Sequence, residues 1–174
     1  EPLSALDARI RKSLRSQIRE IQQQLGLTTL FVTHDQEEAM QLSDRIFVMD
    51  KGHIVQAGSA EDIYTRPANA LVAGFMGHYN LLSTSDAQRL FGYSGTGQVA
   101  LRPEAIALSA QATPHSVAGS VVQRQLLGNV IRYQVQVDGL KLWVDELNRR
   151  SSDLLSEGAQ VHLHARAEDW AVVE

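Results

Sequence analysis

Cysteine is absent from this 174-residue chain, which excludes a disulfide framework, a thiolate nucleophile and a zinc–thiolate centre. A reducing cytosol fits that composition. A surplus of one charge sign is missing too: the formal net charge is -4, with 8 Lys/Arg against 10 Asp/Glu in residues 1–80 and the same numbers in 81–174. Neither half reads as a basic nucleic-acid arm, so no nucleic acid is expected as a partner. The longest apolar runs, such as Ile46–Met49 and Leu71–Ala73, fall far short of the roughly 18 to 20 residues that span a bilayer. The first residues lack the positive start and apolar core of a secretory signal, so the chain is expected to stay in the compartment where it is made. What is present, 44% hydrophobic and 21% charged residues, suffices for one ordinary domain or two small ones.

From Asp7 the pattern predicts a helix. Ile10, Leu14, Ile18, Ile21 and Leu25 fall on one face, Asp7 can cap its start and Gly26 can end it. Thr28–Val32 suits a buried parallel strand. After the turn at Thr33-His34, Asp35–Ser43 reads as a short helix with acidic residues in its first turn, where the helix dipole favours them. Arg45–Asp50 returns as a strand, Lys51-Gly52-His53 turns, and Ile54–Gly58 pairs back as a hairpin. Ser59 with Asp62 resembles a capping box for a helix to about Thr65, and Asn69–Gly77 reads as another short helix. The first half is thus α/β in alternation.

Residues 78–98 concentrate serine, glycine and threonine around one weak helical stretch and read as a linker. Beyond it, strand-like pieces recur at Val99–Arg102, Ile106–Ser109, Ser116–Leu127, Val130–Val137, Leu140–Val144 and Val161–Ala165. The Asp138-Gly139 pair between two alternating runs is a hairpin signal. Short strands without a long helix predict a small all-β barrel or sandwich over residues 99–174.

His34 lies just past an expected strand end, where open α/β sheets place ligand sites; a plain surface-turn histidine is the other reading. A metal reading would join it to Asp35, Glu37 or Glu38, but no second histidine completes a zinc pattern. A Ser4, His34, Asp7 triad can be written down, with nothing to place those groups together. Gly92–Gln98 suggests a glycine-rich phosphate loop but lacks the lysine. In the barrel, Tyr133, Trp143 and Trp170 lack the basic groove of a single-strand binder and read as core or interface residues. His162 and His164 alternate onto one strand face without a third ligand nearby.

Taken together, Glu1–Ala8, the helix after it, Thr28–Met40 and Ser43–Tyr64 resemble the second half of an ABC-transporter nucleotide-binding domain over residues 1–77. Val99–Leu108, Gly119–Val144 and Glu157–Val173 resemble the TOBE domain, an OB-like barrel of importer ATPases. Its typical elements are Arg102-Pro103-Glu104 and the Leu127-Gly128-Asn129 turn. The implied fold class is α/β, a partial P-loop NTPase of the ABC ATPase type, followed by an all-β OB-like barrel.

The resemblance implies a role for each matching residue. Glu1 matches the catalytic glutamate after Walker B that polarises the attacking water. Ser4 and Asp7 belong to the matching D-loop, Ser4–Asp7, which helps form the opposing site across a homodimer. His34 matches the switch histidine that contacts the γ-phosphate. The implied cofactors of the full-length protein are ATP and Mg2+. Its implied partners are a second copy, transmembrane permease subunits and, indirectly, a periplasmic solute-binding protein, at the cytoplasmic face of the bacterial inner membrane. Phe75–Leu82 resembles importers of ferric iron or related inorganic ions. No P-loop and no LSGGQ signature occur in the chain, so it is expected to be inactive alone. Thr28–Val32 and Arg45–Asp50 are then expected to expose an unpaired edge and an apolar face. The alternative is a regulatory or dimerisation module whose barrel senses a small anion or a partner.

Overall fold

The computed structural model of the chain describes residues 7–149 and 154–173. They belong to two compact units that divide between Arg66 and Pro67.

In the first unit, α1 (Ala8–Leu25) starts where the sequence places it. The Asp7 carboxylate accepts the N–H groups of Arg9 and Ile10 at 3.0 and 2.9 Å, and Gly26 closes the helix in the left-handed conformation. Helix α2 (Gln36–Leu42) is capped by Asp35, which accepts the Glu38 N–H at 3.1 Å. Strands β1 (Ile46–Asp50) and β2 (His53–Gly58) form an antiparallel hairpin, and α3 (Ala60–Thr65) opens on Ser59, whose Oγ accepts the Asp62 N–H.

One expectation for this unit fails. Thr28–Val32 is not a strand, and Leu30 and Val32 are 87% and 67% exposed. A parallel strand is held by ladders to its neighbours, and among the described residues no strand pairs with this segment. The apolar stripe of α1 is only partly covered: Ile10, Ile21 and Leu25 are exposed and Leu14 and Ile18 half-buried, while among the described side chains of the helix Arg15 is the buried one. The expected apolar face is present, with Phe47, Met49 and Ile54 of the hairpin also exposed.

The second unit opens with α4 (Ala70–Met76), where Asn69 accepts the Val72 N–H. It continues with β3 (Asn80–Leu82), α5 (Thr84–Phe91), β4 (Gln98–Leu101), β5 (Ile106–Ser109) and β6 (Val117–Leu126). Then come β7 (Val130–Val137), β8 (Leu140–Leu147), β9 (Gln160–Ala165) and β10 (Trp170–Val173). Residues 78–98 are therefore not a free connection, since they contain β3 and α5 and bring Leu82, Ala87 and Leu90 into the main core. The missed signal is Ser83 with Asp86 three residues on, the same capping pattern read at Ser59.

Three strands form one sheet in the order β10-β4-β3, against which Ala73 of α4 packs through Ala100 and Val173. Five form a curled antiparallel sheet in the order β5-β9-β6-β7-β8. Along β7 the buried residues Ile131, Tyr133, Val135 and Val137 alternate with half-buried ones, the period expected of a strand with one face in a core. The β7–β8 turn is Asp138-Gly139, both at positive φ, which matches the strand twist and sets Val137 opposite Leu140. A Cβ at Gly119 of β6 would lie 2.9 Å from Gln136 O and from methyl groups of Val135 and Val137, so only glycine lets β6 approach this closely.

Side chains complete the curl. Strands β5 and β8, at opposite ends of the strand order, approach one another, and the Glu146 carboxylate of β8 accepts the Leu108 N–H of β5. Buried Asn80 of β3 acts as a substitute strand against the other side of β8. Its Oδ1 accepts the Trp143 N–H at 2.7 Å, and its Nδ2 donates to Trp143 O at 2.8 Å and Leu101 O at 3.3 Å. The result is an OB-like half-barrel around Tyr133 and its neighbours.

Candidate functional site

Within the first unit, the polar side chains converge on the turn that carries His34. Arg11, Arg15 and Arg19 recur every four residues and so share one face of α1. Their partners follow in order along α2. Arg11 lies 3.9 Å from Asp35. Arg15 Nη2 donates to Asp35 Oδ2 and Glu38 Oε1, both at 2.9 Å, and its Nη1 is 3.6 Å from Glu37. Arg19 reaches Leu42 O and the Asp44 carboxylate beyond the C-terminus of the helix.

Arg15 and Glu38 are 6% and 5% exposed, which sets their interaction apart from a solvated surface pair. Burial alone would pull the Arg15 guanidinium down, but Glu38 and Asp35 outweigh it and hold the group above its ordinary value. Burial similarly pushes the Asp35 carboxyl up, and the Glu38 N–H and Arg15 more than reverse that, leaving it below the usual carboxylate value. Thr33 completes the network. Its Oγ1 donates to Glu38 Oε2 at 2.8 Å and accepts the Asp35 N–H at 3.0 Å. The residues on both sides of His34 are therefore anchored, while His34 itself is exposed.

Asp7 opens the same helix that carries the arginines, and its carboxylate is engaged as the N-cap. Glu1 and Ser4 lie outside the described residues, as does most of the Ser4–Asp7 stretch. A triad of Ser4, His34 and Asp7 finds no support in an Asp7 carboxylate bonded to two helix N–H groups. Asp35 and Glu38, offered to a metal in one reading, are instead partners of Arg15. Among the described residues no three His, Asp or Glu side chains gather as a metal would require. No helix among them is long and apolar enough to cross a membrane. The arginine spacing of four is visible in the sequence, on a face of α1 that adjoins the apolar stripe.

In the second unit, Gly92 caps α5 and Tyr93 stacks edge-on against Trp170 at 5.3 Å, so Gly92–Gln98 is structural. Tyr133 is core, its hydroxyl oxygen accepting the Leu155 N–H, and Trp143 is held through its backbone by Asn80. His162 and His164 do share the outer face of β9. His164 lines a pocket of about 410 Å³ with Arg102, Glu104, Ala105, Ala107, Arg166 and Asp169. Its cations are already opposed by acids, with Arg102 3.7 Å from Asp169 and Arg166 3.0 Å from Glu168. The Arg102-Pro103-Glu104 element thus forms a pocket rim, with Pro103 buried beneath it.

Comparison with known proteins places this geometry in context. Residues 99–173 match the TOBE domain family. The Fe(3+) ions import ATP-binding protein FbpC of Brucella abortus (strain 2308) is 40% identical over 162 residues, covering 83% of this chain and 46% of that protein. The protein of the same name from Escherichia coli (strain K12) is 47% identical over 122 residues, covering 63% of this chain and 35% of that protein. A solved structure of the cytoplasmic molybdate-binding protein ModG, with molybdate bound, matches 51% of this chain and 70% of its own at 12% identity and a TM-score of 0.40. The chain spans less than half the length of the import ATP-binding proteins it matches. Residues 99–173 belong to the TOBE domain family, and over most of its length the chain is similar to part of Fe(3+) ions import ATP-binding proteins.

Proposed function

We propose that this chain supplies the D-loop and switch-histidine side of an ATP-hydrolysing importer subunit, with ferric iron or another inorganic ion as the cargo. The observation that carries the reading is the presentation of His34, an exposed imidazole on a turn anchored to the helix that Asp7 opens. An imidazole there is short and rigid and can donate to an anionic γ-phosphate oxygen near neutral pH. Glu1 orients the attacking water, a role that requires it within hydrogen-bond reach of that water. Ser4 and Asp7 are assigned to the D-loop of a homodimer in which two subunits close on ATP and separate after hydrolysis. The exposed apolar face of α1 and the β1–β2 hairpin is what a domain completed by further chain would cover.

ATP is the substrate of this reaction and Mg2+ the ion that accompanies it. The carboxylates flanking His34 do not fit a magnesium ion, because Arg15, Thr33 and the Glu38 N–H already engage Asp35 and Glu38. No metal-dependent step is therefore assigned to them. The proposed partners are permease subunits in the membrane and, through them, a periplasmic solute-binding protein, with the subunit peripheral on the cytoplasmic face. By itself the chain, without a P-loop or signature motif, is proposed to be inactive.

The test uses the full-length protein carrying this chain. His34→Ala is expected to lower kcat for ATP hydrolysis by about 100-fold or more while ATP still binds, the scale seen when one donor to a developing anionic charge is removed. Hydrolysis at the unsubstituted rate would overturn the reading. For the cargo, cells lacking the full-length protein should lose uptake of ferric iron, and undiminished uptake would exclude it.

A further inference from the structure

The arginine ladder assigns a role to a residue that the resemblance leaves without one. A buried ion pair is seldom worth more than the apolar contacts that could replace it, so its geometry is the more informative feature. Here that geometry is directed at one place. Arg15 holds Asp35 directly, and it holds Thr33 through Glu38, whose second oxygen accepts the Thr33 hydroxyl. The Asp35 N–H closes the loop onto Thr33 Oγ1. The two residues on either side of His34 are thus fixed to one guanidinium, and that guanidinium is itself 6% exposed and confined by the packing of α1 on α2. The adjacent rungs resist rotation of α2, with Arg11 near Asp35 and Arg19 on Leu42 O and Asp44.

We propose that Arg15 is the positioning residue for His34: it fixes the turn that presents the imidazole to the γ-phosphate and ties that turn to the helix opened by Asp7. Asp7 and Arg15 are eight residues apart on one rigid helix, about 12 Å along its axis. A movement of the α1 N-terminus is therefore carried to the His34 turn as a rigid body, which couples the dimer-facing end of the helix to the phosphate-sensing turn. This inference rests on the ATP-hydrolysis reading above.

The experiment has two arms. In the 174-residue chain, amide hydrogen exchange and the NMR signals of His34 are compared between the unsubstituted protein, Arg15→Gln and Thr33→Val. Thr33→Val cuts the turn from Glu38 while leaving Arg15 and its two carboxylates in place, and so covers the case in which Arg15→Gln does not fold. Exchange at Asp35 is expected to rise about tenfold or more in either variant, with His34 signals shifted and those of the second unit unchanged. In the full-length protein, Arg15→Gln and Thr33→Val are expected to lower kcat about tenfold while KM for ATP changes less than about twofold, since a misplaced group costs rate rather than binding. Arg15→Lys, which keeps the charge but spans only one carboxylate, should recover part of that loss.

Unchanged exchange and His34 signals in folded variants would overturn the clamp whatever the hydrolysis rate. A loosened turn with unchanged kcat, in a protein whose His34→Ala variant is inactive, would overturn the positioning role alone. If His34→Ala itself hydrolyses ATP normally, the ATP-hydrolysis reading fails, and with it the role assigned to Arg15.

Discussion

Asn80 provides a direct measurement of how the half-barrel is held, because one buried side chain does the work of a strand edge. Truncation to alanine removes the hydrogen bonds at 2.7 and 2.8 Å to Trp143 and the weaker one at 3.3 Å to Leu101 O. At about 1 kcal/mol net for each bond, with more where a buried partner is left unsatisfied, Asn80→Ala should cost about 2–4 kcal/mol of the stability of the second unit. Asn80→Asp is nearly the same shape but replaces the donating NH2 by a carboxylate oxygen facing two carbonyl oxygens. Its ionised form is disfavoured in the folded protein, so its folded pKa lies above the unfolded value of about 3.9. Stability is then lost as pH rises from that unfolded value through the folded one, and Asn80→Asp should be worse than Asn80→Ala at pH 7 and recover in mild acid. Urea unfolding followed by tryptophan fluorescence reports this unit, since both tryptophans, Trp143 and Trp170, belong to it. A cost for Asn80→Ala below about 1 kcal/mol, or an Asn80→Asp variant whose stability relative to Asn80→Ala does not change with pH, would refute the reasoning.

Gly119→Ala places a Cβ 2.9 Å from Gln136 O and from two valine methyl groups, and should destabilise the second unit by about 1–3 kcal/mol in the same urea assay. Because Asp35 is held below its ordinary value, it contributes stability above the unfolded carboxylate value near 4 that is lost as pH falls through its folded value. The stability difference between the unsubstituted chain and Asp35→Asn, followed by amide exchange in α1 and α2, should shrink accordingly in acid. Glu146 shows the opposite sign: burial raises its pKa despite the Leu108 N–H, so it costs stability as pH rises through its folded value. Glu146→Gln keeps an acceptor for that N–H and should be more stable than the unsubstituted chain at pH 7 and equal to it in acid, by thermal unfolding.

The elements legible in the sequence were those whose causes lie within a few residues. Asp7 and Ser59 cap the helices they were expected to cap, Asp35 and Asn69, read as first residues of their helices, cap them instead, and Asp138-Gly139 turns the hairpin it was expected to turn. The alternation of β7 set which of its side chains face the core, and the outward pair His162 and His164 was readable in the same way. Short-range hydrogen bonds and a period of two or 3.6 residues are properties of the chain itself, so composition and spacing carry them.

Features that depend on a distant partner were not legible. Thr28–Val32 has the β-branched residues of a strand but no neighbouring strand among the described residues, and propensity does not form a ladder alone. The stripe of Ile10, Leu14, Ile18, Ile21 and Leu25 gave no sign that Arg15 beside it would be buried, because the carboxylates that bury Arg15 come from 20 and 23 residues away. Asn80 in a serine-rich stretch gives no sign that it meets Trp143, 63 residues further on, so residues 78–98 have the local pattern of a linker. The sequence by itself therefore determined the capped helices, the turns and the inward faces of the strands. Only the tertiary structure decided which charged groups are buried together, how the turn bearing His34 is held and how the half-barrel is closed, because each of these depends on desolvated polar contacts between segments far apart in the chain.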